Sequence, residues 1–122
     1  MTEKNKDEVA RRYLLLLKLD IKNLFRRLAS RKNEYIMIFA LKRSREHFNT
    51  VFASRYEQAG FDELAYCSEE TITALDQFYS HVEEIKWYLD YTEDMPNMVE
   101  DELSRMFHKL EEYYNTSTLY ID

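Results

Sequence analysis

Turn-forming residues are almost absent from this chain, whose 122 residues include one glycine, Gly60, and one proline, Pro96. A domain of this length with average composition contains about eight glycines and six prolines. Hairpins, glycine-rich phosphate loops and many-stranded sheets depend on such residues, so their scarcity disfavours all three. With 45% hydrophobic and 33% charged residues, the chain also lacks the composition of a disordered segment. We therefore predict one all-α domain.

The spacing of apolar residues predicts four helices followed by a non-helical tail. The predicted helices span approximately residues 6–29, 34–58, 69–91 and 97–115, and the tail spans residues 116–122. Ser68 is the predicted N-cap of the third helix, Pro96 suits the start of the fourth, and Gly60 follows the end of the second. Because the connections are short, we expect an antiparallel four-helix bundle with up-down-up-down order.

The first connection is the least defined, because no glycine or proline stands between Met1 and Ala59. The polar segment 30–33 is the best candidate for the first reversal, with Asn33 as N-cap. A single helix that bends or continues through Ser30 is the alternative, and it would require dimerisation to cover its apolar stripe. The predicted core stripe of the second helix consists of Met37, Ile38, Leu41, Phe48, Val51, Phe52 and Tyr56.

Several apolar residues fall outside the predicted core stripes of the helices. Leu15, Leu16 and Leu19 project from the opposite side of helix 1, among the charged residues Arg12, Lys22 and Arg26. Residues 35–41 are apolar on every side of helix 2, so Tyr35, Ile36 and Phe39 lie off its core face. Trp87, Tyr88 and Tyr91 stand away from the stripe of helix 3, which runs from Ile72 to Leu89.

A helix that is apolar on every side is normally buried on every side, and a lone four-helix monomer cannot bury both faces of three helices. Either helix 2 is more enclosed than in a simple bundle, or a second surface meets another protein. We favour a second surface and expect a homodimer, the commonest soluble oligomer. The predicted interface residues are Leu15, Leu16, Leu19, Tyr35, Ile36 and Phe39, with Arg12, Lys22 and Arg26 as rim charges and Trp87 and Tyr91 as a second patch.

Charge is divided unequally along the chain. Residues 1–55 contain 14 Lys/Arg and 6 Asp/Glu, a balance of +8, whereas residues 56–122 contain 3 and 17, a balance of −14. Such asymmetry indicates an electrostatic partner, or a basic half that packs beside an acidic half and complements it internally. The second reading is the simpler one, because helices of the two halves must be neighbours in a bundle.

Nucleic-acid binding is the main alternative function. Arg11, Lys18, Lys22 and Arg26 share one face of helix 1, and such a row can neutralise phosphates. The acidic total and the downstream carboxylates oppose this reading, and no helix-turn-helix signature with a glycine turn occurs. An acidic face that engages a basic partner is a further, weaker possibility.

The sequence offers little for catalysis or metal binding. The residues three before His47, His81 and His108 are Ser44, Phe78 and Arg105, so the Glu-x-x-His pairs of di-iron bundles are missing. Cys67 precedes a predicted helix N-terminus but has acidic rather than basic neighbours, which oppose a reactive thiolate. We therefore expect no enzyme activity, no metal and no cofactor.

A single cysteine cannot form an internal disulfide, and the apolar runs 13–17 and 35–41 are too short to span a bilayer. We expect a cytoplasmic protein without membrane association. Together these features predict a non-catalytic protein-protein interaction module, with an adaptor, regulatory or chaperone-like role.

Overall fold

A computed structural model describes residues 3–41, 43–54, 56, 64–65 and 67–121, and every regular element in these ranges is a helix. In chain order the helices of the described part are α1 (Glu3–Ser30), α2 (Lys32–Ala40), α3 (His47–Val51), α4 (Glu69–Tyr91) and α5 (Pro96–Ile121). The all-α prediction is confirmed. Within the described ranges, no helix combines the length and the apolar character needed to cross a membrane.

Helix α5 lies at the centre of the packing and contacts α1, α2 and α4. It is antiparallel to α4, because the Ser117 hydroxyl donates to the Ala74 carbonyl at 3.2 Å while the His81 ring meets the Met106 carbonyl at 2.8 Å. The core between these helices is made of fully or almost fully buried apolar side chains. They include Leu17, Ile21, Leu24, Leu28, Leu75, Phe78, Ile85, Leu89, Val99, Leu103 and Leu110.

The start of α4 matches the prediction from its sequence. Ser68 has an extended backbone, with φ −68° and ψ 159°, and its hydroxyl accepts a hydrogen bond from the Thr71 backbone N–H at 3.2 Å. Glu69 and Glu70 follow in the first turn, where the helix dipole favours negative charge. Pro96 is the first residue of α5, a position at which its missing N–H costs nothing.

The predicted second helix, 34–58, is wrong as a single element. It is divided into α2 and the short α3, and residues 41 and 43–46 between them are not helical. In one continuous helix, Tyr35 and Phe48 would lie about 20 Å apart along the axis, yet their ring centroids are 5.8 Å apart. The break therefore folds α3 back so that both rings enter one core. The predicted stop at Gly60 lies outside the described residues.

The chain that returns along α1 is the segment after α3, not α2. Arg27 donates to the Val51 carbonyl at 2.8 Å and also to the Ala53 carbonyl. The Ser54 hydroxyl then donates to the Asp20 carboxylate at 2.7 Å. Residues 51–54 therefore run antiparallel to α1, with residue 51 beside residue 27 and residue 54 beside residue 20. Helix α2 packs on α5 instead.

The interruption between α1 and α2 falls at Arg31, inside the predicted segment 30–33. The predicted N-cap, Asn33, is wrong: Arg31 precedes the first residue of α2, and its side chain caps nothing. The Tyr35 hydroxyl instead donates to the Leu28 carbonyl at 2.9 Å. The same carbonyl, in the last turn of α1, also accepts from the Arg31 backbone N–H at 3.4 Å.

The predicted non-helical tail, 116–122, is also wrong, since α5 continues to Ile121. Ser117 is completely buried against α4, and its hydroxyl donates to the Ala74 carbonyl. Thr116 and Thr118 direct their hydroxyls to the Glu112 and Asn115 carbonyls. Packing on α4 therefore outweighs the weak helical propensity of this Ser/Thr-rich sequence.

Candidate protein-interaction surface

Three leucines of α1 are exposed to solvent, as the sequence predicts. The exposed fractions of Leu15, Leu16 and Leu19 are 55%, 52% and 43%. They stand on the side of α1 opposite Leu17 and Ile21, which are buried in the core. Because residues three and four apart in a helix are neighbours, the leucines form one continuous apolar surface about one turn long.

Basic side chains flank these leucines on both sides along the helix. Arg12 is exposed one turn before them and pairs with Glu8 at 2.7 Å. Lys22 and Arg26 are exposed in the two turns that follow. We name this surface, made of Leu15, Leu16, Leu19, Arg12, Lys22 and Arg26, the leucine stripe. It is an apolar centre with a positively charged rim.

Helix α2 does not extend the leucine stripe, and the prediction for Tyr35 is wrong. Tyr35 is fully buried, and its ring stacks parallel to that of Phe107 at 6.2 Å between centroids. Ile36 and Phe39 are half-buried and pack against the core. Met37 and Leu41, which the sequence places in the core, are exposed instead. Ile38, the third predicted core residue of α2, is buried beside Tyr35, so the core side of this helix is rotated toward Tyr35 and away from Met37 and Leu41.

A second exposed apolar surface lies where α4 ends and α5 begins. Trp87 and Tyr91 are each 66% exposed, and their ring centroids are 5.4 Å apart. Met95 and Met98 are exposed close to them along the chain. We name Trp87, Tyr91, Met95 and Met98 the aromatic patch. Sequence reasoning missed the two methionines, although Met98 stands outside the apolar stripe of α5 that begins at Val99.

Acidic side chains flank the aromatic patch. Glu83 and Glu84 are exposed one turn before Trp87, and Glu93 is exposed two residues after Tyr91. The nearby cation, Lys86, is held by Asp90 at 2.8 Å. The aromatic patch is therefore an apolar centre with a negatively charged rim, opposite in sign to the leucine stripe.

Two residues with catalytic potential, His81 and Cys67, are buried and half-buried in the structure. Within the described ranges, no group of three or more His, Cys, Asp or Glu side chains could hold a metal ion. The buried His81 ring meets the Met106 carbonyl through Nε2 and the Glu84 carboxylate through Nδ1, at 2.8 and 3.2 Å. Burial raises the pKa of the Cys67 thiol, which disfavours the nucleophilic thiolate.

An open cleft of about 260 Å³ lies beside α2. Its polar side chains are Glu34, Arg43, Ser44 and His47. Glu34 accepts from Arg31 at 3.2 Å and lies 3.7 Å from the His47 ring. The Ser44 hydroxyl accepts from the Glu46 backbone N–H. Glu34 and Ser44 therefore have partners within the protein.

A partly buried polar cluster joins α1, α4 and the segment after α3, and sequence reasoning missed it. The Tyr79 hydroxyl donates to the Asp20 carboxylate at 2.6 Å, and Ser54 donates to the same oxygen at 2.7 Å. The Tyr56 ring stacks on Tyr79 at 3.9 Å between centroids. Burial raises the pKa of Tyr79 far above its usual value, and the hydrogen bond to Asp20 raises it further. Its groups bond and stack with one another across three segments of the chain, which indicates a structural role.

Comparison with protein-family models, curated proteins and solved structures yields no match. The surface of the molecule is therefore the guide to its function. Among the described residues, the leucine stripe and the aromatic patch are apolar surfaces with charged rims, an arrangement suited to binding another macromolecule.

Proposed function

We propose that this protein is a non-catalytic protein-protein interaction module, with an adaptor, regulatory or chaperone-like role. The observation that carries the proposal is the exposure of Leu15, Leu16 and Leu19 side by side on α1, inside a basic rim. Single exposed leucines are ordinary, but a contiguous apolar surface rimmed by polar groups is typical of an interaction site.

The aromatic patch supports the same function. Exposed Trp, Tyr and Met side chains are enriched at protein interfaces, where Trp and Tyr often provide most of the binding energy. Trp87 and Tyr91 are held one helical turn apart on α4, so little conformational entropy is lost when a partner covers them.

We also propose a four-helix up-down-up-down arrangement, in which α2, α3 and the segment after α3 together occupy the second position. The return of residues 51–54 along α1 and the antiparallel α4–α5 pair support it. In this arrangement α1 and α4 each pack one side on α5 and leave the opposite side exposed to solvent. The single cysteine supports a reducing compartment, and we propose the cytoplasm.

Photo-crosslinking from the leucine stripe tests the proposed function. The full chain carries p-benzoylphenylalanine in place of Leu16, and the matched control carries it in place of His108, which is exposed on α5. After illumination in a cell extract, we expect covalent protein adducts from position 16 and none from position 108. Equal labelling from both positions, or no protein adduct from position 16, would contradict the proposal.

Disruption of the leucine stripe provides the second test. Replacement of Leu15 and Leu19 together by Glu places two carboxylates at the contact, so we expect adduct formation from position 16 to fall at least tenfold. Because both side chains are exposed, the variant should keep the far-ultraviolet circular dichroism of the wild type. Leu119→Glu, a change of the same kind at an exposed residue of α5, is the control. Unfolding of the double variant would mean that these leucines belong to the core.

A nucleic-acid-binding regulator is the alternative, and one observation favours it. Arg11, Lys22 and Arg26 are exposed on α1 and are available to phosphates. Fluorescence anisotropy with labelled duplex DNA distinguishes the two functions. Binding that falls steeply with salt and disappears in the Arg11→Gln/Lys22→Gln/Arg26→Gln variant would favour the alternative. Our proposal expects no measurable binding at physiological salt.

A further inference from the structure

We propose that the partner of the leucine stripe is a second copy of this chain, which receives it on the aromatic patch. This inference rests on the proposed function and names the two surfaces that meet. The leucine stripe of one molecule lies on Trp87 and Tyr91 of the other. The reciprocal contact, made by the remaining stripe and patch, closes a two-fold dimer.

The two surfaces have the same layout. Leu15 and Leu19 are four residues apart on α1, and Trp87 and Tyr91 are four residues apart on α4, so both apolar centres span about 6 Å. Charged side chains stand at both ends of each centre. On α1 they are Arg12 before and Lys22 after the leucines, and on α4 and its following turn they are Glu83 and Glu84 before and Glu93 after the aromatic rings.

The signs of the charges select this pairing over contact between two leucine stripes. An antiparallel α1–α1 contact centred on the leucines would place Arg12 of one copy beside Lys22 of the other, and like charges destabilise such contacts. Against the aromatic patch, Arg12 and Lys22 of the stripe instead face the acidic residues at the two ends of the patch. The charge of the chain is divided, with +8 in residues 1–55 and −14 in residues 56–122. In this pairing the basic half of one molecule attracts the acidic half of the other.

One molecule cannot make this contact by itself. Both α1 and α4 pack their core sides on α5, and they contact each other through the part-buried Asp20–Tyr79 hydrogen bond. Their exposed sides therefore face away from the interior. The two surfaces can meet only between molecules.

A charge-swap experiment with full-length chains tests the pairing. The first variant, Arg12→Glu/Lys22→Glu, has two acidic surfaces, and the second, Glu83→Lys/Glu93→Lys, has two basic surfaces. All four side chains are exposed, so both variants should fold. In sedimentation velocity at low salt, we expect a wild-type dimer, a tenfold or greater weakening of self-association in each variant, and recovery of dimer when the two variants are mixed.

The matched control carries the same kinds of charge change away from both surfaces. Lys109→Glu/Glu111→Lys alters two exposed residues of α5 and should sediment as the wild type does. Mixed variants that remain single chains, or variants that dimerise as well as the wild type, would overturn the pairing.

The single tryptophan, Trp87, reports the contact without any substitution. Its indole is exposed in one molecule and covered in the dimer, so its emission should move to longer wavelength as the wild type is diluted. A wild-type chain that sediments alone, with unchanged emission, overturns the pairing. If position 16 then crosslinks to a different protein, the proposed function stands and the partner is not a second copy. If position 16 crosslinks to no protein, the proposed function fails as well.

Discussion

Removal of the Tyr35 side chain should unfold the core rather than weaken a contact with a partner. The ring is fully buried beside Phe48, Phe52 and Phe107, and its hydroxyl donates to the Leu28 carbonyl. Truncation of a buried aromatic side chain to Ala lowers the free energy of unfolding by about 3–5 kcal/mol. Tyr35→Phe keeps the ring and loses one hydrogen bond, for which about 1 kcal/mol is expected.

Urea unfolding followed by circular dichroism measures both changes. With a denaturant slope of about 2 kcal/mol/M, the midpoint should fall by about 0.5 M in Tyr35→Phe and by about 1.5–2.5 M in Tyr35→Ala. Tyr91→Ala, at an exposed ring, should change it little. Because association also stabilises a folded chain, the midpoints must be compared at several protein concentrations. A Tyr35→Ala protein with the wild-type midpoint but weaker association would refute this reasoning and return Tyr35 to the interface.

Two further predictions concern groups that burial holds in their neutral form. Tyr79→Phe should lower the free energy of unfolding by about 1.5–3 kcal/mol, because it removes a hydrogen bond to the Asp20 carboxylate; thermal unfolding measures it. Above about pH 10 the unfolded state releases the Tyr79 proton while the folded state keeps it, so the free energy of unfolding of the wild type should fall as the pH rises. The fall should be smaller in Tyr79→Phe. An equal fall in both proteins would contradict a raised pKa of Tyr79. Cys67 should react with a thiol reagent at pH 8.5 more slowly in native protein than in urea, since burial raises its pKa; equal rates would show an unperturbed thiol.

Periodic helices were predictable from the sequence, and the apolar run 35–41 was not. In α1 and α4 the apolar residues recur at helical spacing, so both the elements and their core sides could be read directly. The same pattern predicts the exposure of Leu15, Leu16 and Leu19, because these leucines lie opposite a complete core stripe. In residues 35–41 every side of the helix is apolar, so periodicity cannot tell which side faces the core. The pattern consequently predicts an exposed Tyr35 and a buried Met37, and both predictions are wrong.

The aromatic patch was predictable only in part. Trp87 and Tyr91 depart from the stripe of α4, and that departure is visible in the sequence. The contribution of Met95 depends on the turn that follows α4, where no periodicity exists to assign a side. The opposite charge rims were present in the sequence as a division between two halves, but their arrangement around apolar centres depends on which side chains the fold leaves exposed.

The amino-acid sequence by itself determines that this chain is helical, where α4 and α5 begin, and which side of α1 is buried. Each of these properties depends on side chains within one or two turns of each other, such as the Ser68 cap and its partner Thr71. Tertiary structure decides the break between α2 and α3 and the continuation of α5 to Ile121. Those features depend on contacts between distant residues, such as Arg27 with Val51 and Ser117 with Ala74, whose free energy exceeds the local preferences of the segments they connect.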